Sequence, residues 1–77
     1  MTRLPVVDFK TMEKVLLKLR FLAARQKGNH VFYRHPDGRT TTLPCHPERD
    51  LARPLIREIL REIELSPEQF SGTLQEI

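Results

Sequence analysis

Apolar residues recur along this chain with two different periods. Phe9, Met12, Val15, Leu16 and Leu19 stand three or four apart, with Lys10, Glu13, Lys14 and Lys18 between them, the spacing of one buried helix face. Asp8 precedes the run as a cap, so a first helix is expected over Phe9–Leu19. From Phe21 the pattern changes to short runs, Phe21–Lys27, His30–His35 and Arg39–Pro44, separated by Gly28-Asn29 and by Pro36-Asp37-Gly38. Three strands joined by two tight turns, an antiparallel meander, are the simplest account. Pro44 cannot donate to a ladder and belongs at a strand end or on an edge. Cys45–Arg53 has no period and reads as a connection. Pro54 then suits a first helical position, and Leu55, Ile56, Ile59, Leu60 and Ile63 form an apolar stripe while Arg57, Glu58, Arg61 and Glu62 face water. Ser66-Pro67-Glu68-Gln69 has the capping-box pattern and opens a short third helix containing Phe70 and Leu74.

The order helix, three strands, helix, short helix predicts an α+β fold in two layers, α-β-β-β-α with a short C-terminal helix. One face of its three-stranded antiparallel sheet lies under the helices and the other meets solvent. Double-stranded RNA-binding domains (dsRBD) share this order, but an architecture does not fix a function. A length of 77 residues, 39% hydrophobic and 30% charged, suits one domain over residues 1–77 with a small core. Its active site, if it has one, is expected to be shallow. The single Cys45 and an N-terminus without a signal pattern suit a reducing cytoplasm, and no apolar run approaches the ~20 residues that span a bilayer, so no membrane partner is expected.

The net charge of +3 is unevenly spread. Between Lys18 and Arg39, six basic side chains (Lys18, Arg20, Arg25, Lys27, Arg34, Arg39) accompany the single acid Asp37, while five of the ten acids lie in the C-terminal third. That asymmetry suits a polyanion, because cationic side chains gain affinity by releasing counterions from phosphates. A solvated basic surface without a partner fits the charges as well.

Three histidines, His30, His35 and His46, are the candidates for proton transfer near neutral pH. His30 follows a turn and begins a strand, where its ring would be held yet accessible, with Lys27 before the turn and Arg25, Arg34 and Arg39 on neighbouring strands. Cleavage of RNA needs a base for the 2′-hydroxyl, an acid for the leaving 5′-oxygen and cations for charge on the phosphorane, and a histidine beside Lys and Arg supplies such parts. A surface-turn histidine with no role is the plainer alternative. His35, against Pro36-Asp37-Gly38, reads as a turn residue. His46 follows the third strand and is a second candidate for proton transfer or RNA contact. Strand alternation puts His30, Phe32 and Arg34 on one side and Val31, Tyr33 and His35 on the other, unless a bulge intervenes. Phe32 and Tyr33 are the aromatic residues that could stack on bases. Cys45-His46 lacks the paired spacing of a zinc site and Cys45 lacks an evident base, so neither a metal nor another cofactor is expected.

The stretch Arg25-Gln26-Lys27-Gly28-Asn29-His30-Val31-Phe32-Tyr33-Arg34-His35-Pro36-Asp37-Gly38-Arg39, followed by Leu43-Pro44-Cys45-His46, resembles the HicA toxin family. Leu19, Phe21 and the segment from Leu51 to Phe70 match its remaining parts. The resemblance implies a dsRBD-like fold and an mRNA interferase, a metal-independent endoribonuclease neutralised by a HicB-like antitoxin. It implies His30 as the catalytic residue; Lys27, Gly28, Arg25, Arg34, Arg39 and His46, read from charge and position, are the expected RNA-binding set around it. Four positions depart from the family pattern: Asn29 stands where Ser is usual, Val31 where a second histidine is frequent, Arg20 where Gly often ends the first helix and Glu64 where Gly often follows the second. The rival expectations are a non-catalytic RNA-binding module on the same face and a protein-interaction domain with no affinity for RNA.

Overall fold

The computed structural model describes residues 4–46 and 48–77. The elements run α1 (Phe9–Lys18), β1 (Leu22–Lys27), β2 (His30–Arg34), β3 (Thr40–Pro44), α2 (Arg53–Ile63) and α3 (Pro67–Leu74). This is the expected α+β order, with the strands antiparallel in the order β1-β2-β3.

Each helix starts and stops for a local reason. The Asp8 carboxylate accepts from the backbone N–H of Thr11 at 2.9 Å and caps α1. Ser66 and Gln69 form the expected reciprocal capping box on α3. The second helix begins one residue earlier than the proline suggests, at Arg53, with Pro54 still in the first turn where its missing N–H costs nothing. Helices α1 and α2 end alike. Phe21 N–H donates to the Leu16 carbonyl and Arg20 N–H to that of Leu17; Leu65 N–H donates to Leu60 and Glu64 N–H to Arg61. This is the Schellman pattern, which requires a left-handed residue, and Arg20 (φ 73°) and Glu64 (φ 59°) take that conformation without being glycine.

Strand alternation decides which face meets the helices. On β2, Val31 and Tyr33 are buried, and on β3 so are Thr41 and Leu43. They join Met12, Val15 and Leu16 of α1, Ile56, Ile59, Leu60 and Ile63 of α2, and Phe70 of α3 in one core. Its polar members are paired: the Tyr33 hydroxyl donates to Glu13 of α1, and the Thr41 hydroxyl donates to Glu62 of α2 at 2.8 Å.

Strand β1 is different. Every residue of it is exposed, and Leu22 keeps 63% of its surface. It is an edge strand held through its pairing to β2, with a bulge at Ala24 between the pairs Ala23↔Tyr33 and Arg25↔Phe32. The bulge and the charges of Arg25 and Lys27 are features that discourage a second edge from pairing there.

The connection after β3 is tied down. Leu51 is buried, its N–H donates to the Val7 carbonyl at 2.8 Å, and Arg53 Nε donates to the Leu4 carbonyl at 3.0 Å. The arm before α1 and the entry to α2 thus brace each other. No helix among the described residues is long and apolar enough to cross a membrane.

Candidate functional site

The β1–β2 turn is a two-residue loop, Gly28-Asn29, between the paired Lys27 and His30. Gly28 takes φ 57°, and Asn29 does not share the positive φ. A positive φ at the first loop position alone is the type II′ pattern, which follows the twist of the flanking strands. The departure at Asn29 is thereby explained, since its position asks only for a small polar residue without left-handed backbone. A Cβ on Gly28 would meet no protein atom, so the glycine is required by its backbone angle rather than by crowding.

Because paired residues point to the same side, the register lays out the open face in rows. Lys27, His30 and Pro44 form one row; Arg25, Phe32 and Thr42 the next; Leu22, Arg34 and Thr40 the last. The bulge lies on β1 and leaves the β2 alternation intact, so His30, Phe32 and Arg34 do share a face, while Tyr33 turns into the core. His30 is exposed at the start of β2, anchored from below by Val31 and Tyr33. The Cys45 N–H donates to the Asn29 carbonyl at 2.5 Å, which holds the end of β3 against the turn. A shallow depression opens beside it, lined by Lys27, Gly28, Asn29, His30, Phe32 and Thr42.

The expected cations separate into two groups. Arg25, Lys27 and Arg34 are exposed on this face and enter no ion pair among the described residues. The Arg25 guanidinium stands 5.0 Å from the centroid of Phe32, within cation–π range. Arg39 is engaged elsewhere. Its Nε donates to Asp37 at 2.8 Å, its Nη1 to the Ile63 carbonyl at the end of α2, and its guanidinium lies 5.2 Å from the Phe21 ring. These contacts bind the β2–β3 turn to α2 at the end of β2 opposite His30. The Arg39 backbone N–H and then its guanidinium hold the Asp37 carboxyl below the usual carboxylate range.

His35 belongs to the same turn. Its Nδ1 accepts from the Asp37 N–H at 3.1 Å and its ring packs 5.0 Å from Phe21. His46 is exposed one residue beyond Cys45, off the end of β3 that flanks the Gly28-Asn29 turn. Thr42 is the lining residue that charge and titration arguments pass over. Its signal was the alternation of Thr40-Thr41-Thr42-Leu43, which sends Thr41 inward and Thr42 out.

The family model described as HicA toxin of bacterial toxin–antitoxin matches residues 9–65, from the start of α1 to the end of the α2 cap. The match includes every residue of the open face. No curated protein matches the chain.

Proposed function

The chain belongs to the HicA toxin family of bacterial toxin–antitoxin systems, and on that premise we propose that it is an endoribonuclease, an mRNA interferase that works in the cytoplasm with His30 as its catalytic residue and is restrained by a HicB-like antitoxin. The observation that carries this reading is the exposed Lys27–His30 pair at a rigid turn, on a face whose three cations have no carboxylate partner among the described residues. Lys18, Arg39 and Arg61 are paired with carboxylates, and Lys10, Lys14, Arg20, Arg49 and Arg57 are exposed and unpaired among the described residues but do not share a strand row with His30.

In the proposed step the His30 imidazole takes the proton of a 2′-hydroxyl. That oxygen attacks the adjacent phosphorus, the bond from phosphorus to the 5′-oxygen breaks, and the leaving oxygen takes up a proton. A 2′,3′-cyclic phosphate and a 5′-hydroxyl result. Lys27 sits directly across the ladder, where its ammonium offsets charge on the phosphorane, and Arg25 and Arg34 hold the chain on either side. His46 is the candidate for the second proton or for a backbone contact. The reaction needs no metal in this scheme. An antitoxin inhibits most economically by covering His30 and its row.

The test is cleavage of a long unstructured RNA in EDTA by the parent and by His30→Ala at equal salt. His30 is exposed, so its removal leaves the core intact. A general base contributes about 10²–10⁴-fold, so a loss of at least about a hundredfold is expected. Equal cutting by both proteins would remove His30 from the mechanism. If neither cuts and both bind RNA, the chain is a non-catalytic RNA-binding module.

A further inference from the structure

We propose that the depression between His30, Phe32 and Thr42 is a nucleobase pocket, which takes one unpaired base of single-stranded RNA, stacked on Phe32, next to the phosphate at Lys27 and His30. The proposal deepens the ribonuclease reading and rests on it for the identity of the polymer.

Three observations converge. First, Phe32 is a half-buried aromatic ring on the open face rather than in the core, while its neighbour Tyr33 fills the core. Second, the Arg25 guanidinium stands over Phe32 from the β1 side but does not line the depression, whereas Thr42 on β3 does. The ring thus meets a cation from β1 and is itself part of the wall of the depression. A base placed there has an aromatic platform and, beside it, the Thr42 hydroxyl, which makes no hydrogen bond among the described residues and is free to meet a base edge. Third, Phe32 follows His30 by two residues on one strand, about 6.6 Å along it. That span suits the step from a phosphate to the base of the neighbouring nucleotide in an extended strand.

The geometry selects against duplex RNA. Bases inside an A-form helix are stacked on one another, so their faces are closed to a protein ring even where their edges are displayed in the shallow minor groove, and a duplex can place its backbone on Lys27 but no base on Phe32. Single strands present free base faces, and stacking on an aromatic side chain tolerates any base. A dsRBD-like architecture would here serve single-stranded RNA through its open sheet face.

The experiment uses the parent protein and a 2′-O-methyl oligonucleotide carrying 2-aminopurine, which cannot be cut because its 2′-oxygen is blocked. Stacking predicts strong quenching of 2-aminopurine on binding, and at least tenfold weaker binding when the oligonucleotide is annealed to its complement. Phe32→Leu keeps apolar surface at a position outside the core. It is expected to abolish the quench and to lower affinity about tenfold, in line with one base–aromatic stack. Binding without quenching by the parent, equal affinity for the duplex, or an unchanged quench in Phe32→Leu would each overturn the pocket. The first two need no variant, so a misfolded Phe32→Leu cannot rescue the idea. Quenching that depends on Phe32 in a protein that cuts no RNA would retain the pocket and overturn only the nuclease.

Discussion

Arg20 and Glu64 close the two long helices in a conformation that a side chain makes costly. Left-handed backbone brings Cβ toward the following carbonyl, a cost of about 1–2 kcal/mol that glycine avoids. Both positions are fixed by their bonds, from Phe21 to Leu16 and from Leu65 to Leu60, so the strain is held in place by packing of the apolar residues that follow. The two departures from the family's glycines are therefore visible in the sequence, and their physical consequence in the φ values of 73° and 59°. Arg20→Gly and Glu64→Gly should each raise stability by about 0.5–1 kcal/mol, the gain being reduced by the greater freedom of glycine in the unfolded chain. For a domain of this size that is a rise of about 3–6 °C in Tm, read by thermal melting. An unchanged or lower Tm would mean that these side chains contribute contacts which outweigh the strain.

At the scale of elements, the helices and the three strands follow from periodicity and turn chemistry, and most ends fall within a residue of the spacing. The face of β2 follows too, because alternation from His30 to Arg34 admits one reading when Tyr33 must be inside. What alternation does not contain is the third dimension. Nothing in Leu22–Lys27 shows that the helices stop short of β1, nor that Ala24 bulges, since both depend on how far α1 and α2 extend across a twisted sheet. Arg39 illustrates the same limit. In the sequence it is one more cation of a basic segment, whereas its carbonyl partner Ile63 lies 24 residues away and meets it only in the folded state. Arg39→Ala should therefore lower stability by about 1–2 kcal/mol, through a lost charged hydrogen bond and its stacking on Phe21, while RNA affinity stays within twofold. Lys27→Ala should do the reverse, weakening RNA binding without moving Tm. Melting curves and filter binding on the two variants separate the roles, and a large loss of RNA affinity in Arg39→Ala would return that residue to the interface.

For the whole molecule, a net charge of +3 is too small to draw RNA to every surface, so the distribution of charge must decide. The acids of α2 and α3 lie beyond the sheet in sequence, and those near the core are engaged by Tyr33 and Thr41. Lys10, Lys14, Arg20, Arg49 and Arg57 are exposed without an ion pair among the described residues, but Arg25, Lys27 and Arg34 are the unpaired cations that share the open face with His30. Each phosphate neutralised by a cation on a single strand contributes about −0.7 to the slope of log K against log salt concentration. Three contacts predict a slope of about −2, so raising salt fourfold from 50 mM should weaken single-stranded RNA binding about twentyfold. Removing Lys27 or Arg34 should flatten the slope by about 0.7 in each case, and removing Arg39 should leave it unchanged. A slope several times steeper would enlist the basic side chains of α1 and α2 and move the interface away from the sheet. A slope near zero would deny phosphate any part in recognition, and with it both the cleavage site at His30 and the pocket at Phe32.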